Sequence, residues 1–219
     1  MKRIISLLSV LFVCVLICTG CSVKKSSQIT KSDFEKTLYP KDVVGELIIE
    51  NEAANKEKSA FYTNEHFGIK AELNPDLNVR KGIENDGEPT SATQELSANN
   101  TDNSFQHTIA IYTRASLNEG FKYASADDIS SAYMKGFSSG MGGEVIKETY
   151  QEEYSFMGKK QKAYSADVKL KRNDTGEEYT VHVSLITLEV DLYLCDLLTI
   201  STSSEETQQF LSETYSNLE

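Results

Sequence analysis

The chain has 219 residues, with 33 Asp and Glu against 22 Lys and Arg, for a net charge of −11. That balance argues against nucleic acid as a partner, because phosphate selects basic patches. It also argues against electrostatic attraction to anionic lipid heads, so any hold on a membrane has to come from apolar groups.

Met1-Lys2-Arg3 opens the chain with positive charge, and residues 4–18 follow as an apolar run broken only by Ser6 and Ser9. A spanning helix needs about 20 predominantly apolar residues. This run is shorter and ends in the small residues Thr19-Gly20 ahead of Cys21, the pattern of a secretory signal.

Cys18-Thr19-Gly20-Cys21 resembles the lipobox of bacterial lipoproteins, with Cys18 where Leu is usual. The resemblance implies cleavage before Cys21 and transfer of a diacylglyceryl group to its thiol, so Cys21 is the expected lipid-attachment residue. The expected organisation is a signal peptide over 1–20, a polar tether over 21–58 and a domain over 59–219. The expected location is the extracytoplasmic face of the cell membrane, held by palmitate-type acyl chains. Each buried methylene contributes about 0.8 kcal/mol, and more than one chain is needed for firm retention. Loss of Lys2 and Arg3 with the leader takes the charge from −11 to −13.

Of the four cysteines, Cys14 and Cys18 lie in the leader and Cys21 takes the lipid. Cys195 alone is left to the domain, which excludes a disulfide-stapled scaffold. The fold must stand on an apolar core built without Trp, with 11 Tyr and 9 Phe for bulk.

Residues 22–58 are rich in Lys, Ser, Asn and Glu and bury little surface. Within them, 32–38 suits a helical turn and 43–49 a short strand. Two strands are predicted at 60–63 and 67–73 with a turn at Asn64-Glu65, because Phe67, Ile69, Ala71 and Leu73 recur with period two. Asn74-Pro75-Asp76 stops the second. Residues 80–105, rich in Gly, Asn, Ser and Thr, read as a long, mobile surface loop. Strand character returns over 106–115, where Ile109 and Ile111 alternate with Ala110 and Tyr112.

The clearest predicted helix is 125–141. Ser125 and Asp128 fit a capping motif, and Ile129, Ala132, Tyr133, Gly136 and Phe137 share one face. Four strands follow over 144–157, 161–170, 178–188 and 192–200. Gly158-Lys159-Lys160, Asn173-Asp174-Thr175-Gly176 and Asp191 mark the reversals. On the third, Tyr179, Val181, Val183 and Leu185 oppose Thr180, His182, Ser184 and Ile186. A last helix starts near Ser203, capped with Glu206, and places Leu211, Tyr215 and Leu218 in a stripe. The expected class is α+β: an antiparallel sheet of about six or seven strands flanked by helices.

The segment Tyr62-Thr63-Asn64-Glu65-His66-Phe67-Gly68-Ile69 and the hairpin Gly158-Lys159-Lys160-Gln161-Lys162-Ala163 resemble a group of Firmicutes lipoproteins. Those proteins are similar to PsbP and Mog1 domains. The resemblance covers about residues 60–219 and implies a PsbP/Mog1-like arrangement with no common activity.

His66, His107 and His182 have no close-spaced partner of the zinc-motif kind, so separate imidazoles are expected. Cys195 is expected as a buried small hydrophobe, against the alternative of a nucleophile with a His partner. Ser138-Ser139-Gly140-Met141-Gly142-Gly143 follows a helix and reads as its termination, not as a phosphate loop. Glu152-Glu153 and Glu177-Glu178 are adjacent, so each pair points to opposite faces of its strand. No catalytic, cofactor or metal residues are therefore assigned.

The expected function is that of a non-catalytic binding or accessory lipoprotein of the cell envelope. Its partner would be an unknown protein or small-molecule ligand, met by a concave sheet face or by the 80–105 loop. The alternative is an exported hydrolase whose His and acidic residues are brought together by folding. A third reading is a structural or assembly factor of the envelope.

Overall fold

A computed structural model describes residues 43–50, 59–82, 92–172 and 175–217. The leader, Cys21 and the turn expected at 32–38 lie outside these residues. Two antiparallel sheets account for most of the structure. The smaller comprises β1 (Glu46–Glu50), β2 (Ser59–Asn64), β3 (Ile69–Leu73) and β11 (Tyr215–Asn217), in the order β1-β2-β3-β11. The larger comprises β4 (Asn78–Lys81), β5 (Ala92–Asn99), β6 (Gln106–Thr113), β7 (Glu144–Phe156), β8 (Lys159–Lys171), β9 (Glu178–Val190) and β10 (Tyr193–Ser201), in the order β4-β5-β6-β10-β9-β8-β7. Among the described residues the α-helices are α1 (Ala126–Gly140) and α2 (Ser204–Thr214), with a short 3-10 turn at Arg114–Ser116. The α+β class holds, with two sheets where one had been expected. The second arises because β2 and β3 pair with each other, β1 and the C-terminal β11, contacts that local periodicity does not reveal.

Alternation on the strands sorts side chains between two cores. Tyr62, Ile69 and Ala71 of the small sheet meet Leu96, Ile109, Ile111 and Leu197 of the large one, all buried. On the opposite face of the large sheet, Met134 and Phe137 of α1 pack on Val168, Val183, Leu185 and Leu198. Strand β10 is thus covered on both faces, and all nine of its residues are buried. The buried stripe of α1 runs through Ile129, Ser130, Met134, Phe137 and Ser138, rotated from the stripe read in sequence. Ser130 tolerates burial because its hydroxyl donates within its own helix to the Ala126 carbonyl, at 2.7 Å.

Both helices start as their caps require, with the Ser125 and Ser203 hydroxyls accepting from the backbone N–H of Asp128 and Glu206. The β7–β8 reversal uses Met157 and Gly158, at φ 53° and 70°, between the paired Phe156 and Lys159. Two left-handed residues match the strand twist, so this turn sits one residue earlier than the glycine-lysine motif suggests. Arg114 is buried and ion-paired with Glu189 at 2.5 Å, and it donates to the Ala124 carbonyl at 2.6 Å. It thereby fixes the approach to α1.

Two expectations change. The segment 80–105 is not a loop throughout: β4 reaches Lys81, and β5 lies between β4 and β6 with Leu96 and Ala98 fully buried. A register shift between Gln94 and Leu96 inserts Glu95 as an extra residue and breaks the period-two pattern that would have revealed the strand. The Glu95 carboxylate turns inward to accept from the Gly45 N–H at 2.5 Å, and burial raises its pKa. Tyr215, placed on the last helical stripe, instead opens β11, and Leu218 lies outside the described residues. Strand β1 lies among residues read as tether, where 43–49 had been read as a short strand.

Truncation of Leu96 to Ala should cost about 2–5 kcal/mol, the range for a fully buried leucine. A residue on a solvated loop would change stability by about 0.5 kcal/mol or less. Urea unfolding of the domain distinguishes the two.

Candidate functional site

The β8–β9 hairpin places Asp167 directly opposite His182, and on its other side His182 stands opposite Ser201. On β7, Tyr150, Glu152 and Tyr154 follow one another at every second residue, so they share a face. Register shifts between Val145 and Tyr150 adjust β7 where Tyr150 approaches Asp167. The first residue of α2, Ser204, reaches down onto the same group.

The contacts form a chain. His182 Nδ1 lies 2.8 Å from Asp167 Oδ1, and His182 Nε2 lies 2.8 Å from the Tyr154 hydroxyl and 3.3 Å from Glu152 Oε2. The Tyr154 hydroxyl is 2.5 Å from Glu152 Oε2, and Ser204 Oγ donates to Glu152 Oε1 at 3.2 Å. Tyr150 contributes a longer approach, 3.4 Å to Asp167 Oδ1, with Lys147 Nζ stacked 3.3 Å from its ring centroid. His182 is 3% exposed, whereas the Asp167 and Glu152 side chains keep 24% and 22% exposure. The imidazole is thus closed in and the carboxylates touch solvent at the margin.

An imidazole oriented by a carboxylate and touching a hydroxyl has the parts of a general-base relay. Here the hydroxyl is a phenol that burial, then the hydrogen bond to Glu152, pushes up to about 12, so it keeps its proton at neutral pH. Ser204, the aliphatic hydroxyl, bonds to Glu152 and Tyr154. The chain is built to hold protons in place.

The other residues singled out in the sequence are separate. His107 is fully buried between Thr199 Oγ1 at 2.9 Å and the Tyr215 hydroxyl at 2.5 Å, and burial drives its pKa down to about 3. His66 packs edge-on against Phe67 and Tyr193. Cys195 is fully buried as a small apolar side chain, and burial pushes its thiol well up. Glu153 faces away from Glu152 toward Lys160, and Glu178 pairs with Lys169. The three histidines do not converge. Among the described residues, no group of three or more His, Cys, Asp or Glu side chains is spaced to hold a metal ion.

The sequence reading missed Asp167, Tyr150, Tyr154 and Ser204. A signal existed: the second reversal sets a register in which Asp167 and His182 oppose, and period two then carries Glu152 and Tyr154 to one face. It missed Asp196 as well. Asp196 faces α1, accepts from the Thr187 hydroxyl at 2.6 Å and leaves Oδ2 without a hydrogen-bond partner. Burial raises it to about 7, against the hydrogen bonds that lower it.

No protein-family model matches this chain, and no curated protein sequence matches it.

The Asp196 environment has a signed consequence. Its folded value lies above the unfolded value of about 3.9. Its contribution to stability is therefore complete below about pH 4 and is lost as pH rises through about 7. Substitution Asp196→Asn removes that loss. Thermal unfolding should show the stability difference between variant and wild type moving toward the variant between about pH 4 and pH 7 and level above it.

Proposed function

We propose that this chain is a lipid-anchored extracytoplasmic protein of the cell envelope whose domain is a PsbP/Mog1-like binding or accessory module. Acyl chains on Cys21 hold it at the membrane. The antiparallel meander β7–β10, the hairpin at Gly158 and the C-terminal helix agree with that arrangement.

One observation carries the preference for binding over catalysis. His107, His182 and Cys195, the side chains best suited to nucleophilic or base chemistry, are buried and engaged by neighbours inside the domain. A binding face is offered instead by the outer side of the large sheet beyond α1. Arg80, Ser97 and Thr108 stand opposite one another in register, as do Asn99 and Gln106, and all are half-buried or exposed. These hydrogen-bonding side chains suit a polar ligand or a peptide. The hydrolase reading has one observation in its favour, the His182–Asp167 pair beside Glu152.

Two measurements test the proposal. Cells fed an alkyne fatty acid should label the wild-type protein, while Cys21→Ser should lose both the label and membrane retention. The purified domain should show no ester hydrolysis that depends on His182. A hydrolysis lost in His182→Ala would replace the binding reading with the enzymatic one, and an unlabelled wild type would remove the anchor.

A further inference from the structure

We infer that the open edge of β1 is a docking site for an extended strand of a partner protein, one that carries a basic residue on either side of an apolar centre. Among the described residues the two sheets end in four edge strands, β1, β11, β4 and β7. An edge presents unpaired N–H and C=O groups, and proteins blunt it with shortness, bulges, charge or a cover. Three of the four edges are blunted in these ways. Register shifts interrupt β7, and the Gln208 side chain covers its end. β4 has four residues, with Arg80 and Lys81 among them. β11 has three, and its Asn217 side chain donates to the Met157 carbonyl at 3.1 Å. β1 is different: five residues run beside β2 in unbroken register, and no described strand pairs with its other side.

Apolar surface is exposed at this edge. Val44 and Ile48 are each 47% exposed, and the other exposed large hydrophobics among the described residues are Ile146 and Tyr179, on different strands. The start of β1 is also fastened to the domain. The Gly45 N–H donates to Glu95 Oε2 at 2.5 Å, and Asn64 Nδ2 donates to the Val43 carbonyl at 2.9 Å. A Cβ on Gly45 would come within 2.5 Å of the Thr63 carbonyl oxygen, so the backbone lies close against β2 there. A strand fixed in advance does not have to be ordered by its partner, which lowers the cost of association.

The side chains of β1 define the occupant. Glu46, Ile48 and Glu50 are exposed on one face, while Leu47 and Ile49 are half-buried against the core on the other. A strand laid alongside would set one side chain beside each of them, on the same face. Opposite charges across such a pair are favourable and like charges are not, so the complement reads basic, apolar, apolar, apolar, basic. The run Glu46-Leu47-Ile48-Ile49-Glu50 has the same character in both directions, so the complement is the same for a parallel and an antiparallel partner. The same rule disfavours a second copy of this chain, because antiparallel pairing of two β1 strands about Ile48 sets Glu46 against Glu50 at both ends. Main-chain hydrogen bonds would supply affinity and the two glutamates selection. This edge belongs to the small sheet, and the inference does not depend on the polar face of the large one.

The test uses the full chain in detergent solution and a fluorescent synthetic peptide containing the run Lys-Val-Ile-Val-Lys. Fluorescence anisotropy should show the peptide binding to the wild type, and binding about tenfold or more weaker to the double variant Glu46→Lys, Glu50→Lys. Both positions are exposed, so the exchange leaves the core untouched. A peptide with Glu in place of both Lys should show the reverse preference and favour the double variant. Hydrogen exchange of the wild type with the basic peptide bound should slow at the amides of residues 46–50. Equal affinity of the two proteins for the basic peptide would overturn the inference, as would no binding up to about 1 mM. Protection at β4, β7 or β11 in place of β1 would do the same. So would a wild-type dimer in sedimentation that Ile48→Lys abolishes, since the edge would then be taken by a second copy.

Discussion

Cross-strand register in the β7–β10 meander is the constraint on which the remaining structure depends. Two-residue reversals join β7 to β8 at Met157-Gly158 and β9 to β10 at Asp191-Leu192, so those pairings are set by where the turn falls. A slip of one residue would exchange the two faces of a strand. Val181, Val183 and Leu185 would then leave α1, and His182 and Ser184 would take their place under it. The apolar seal beneath α1 and the polar chain beneath α2 are two consequences of one alignment.

The large sheet is covered differently on its two sides. Under α1 the contacts are almost wholly apolar, with Asp196, Thr187 and Ser130 as a small polar inclusion. Between the sheets, apolar contact is interrupted by His107, Glu95 and the His182 chain. Each polar group there is met by a specific partner: His107 by Thr199 and Tyr215, Glu95 by Gly45, His182 by Asp167 and Tyr154. Buried polar groups left unpaired cost about 1–3 kcal/mol each, so such pairing is a condition of burial. It also ties distant parts of the chain together, since Tyr215 comes from the C-terminus and Gly45 from near the start of the described residues.

The long edge strand β7 illustrates how the same elements protect the sheet. Its last turns are covered by α2, where the Gln208 amide accepts from the Ser155 N–H at 2.8 Å and its nitrogen lies 3.4 Å from the Ser155 carbonyl. A side-chain amide thus stands where a neighbouring strand would pair. Register shifts and the charged residues Glu144, Lys147, Glu148 and Glu153 interrupt the rest of the edge, the usual defence against edge-to-edge association.

The sequence by itself determined the elements whose signals are local: β2 and β3 from period two, both helices from their Ser caps, and the four-strand meander from its turns and alternation. It also determined the expectation of a lipid anchor, through residues outside the described structure. Tertiary structure alone decided the second sheet, the strand β5 and the polar chain. The small sheet needs Tyr215 beside Ala71, a pairing across most of the domain that no window of residues contains. Strand β5 hid behind the extra residue Glu95, which disrupts its periodicity in sequence but finds a partner in space. Asp167, Tyr154, Glu152 and His182 are ordinary residues on three strands. They become one hydrogen-bonded unit only because strand pairing brings them within hydrogen-bond distance of one another.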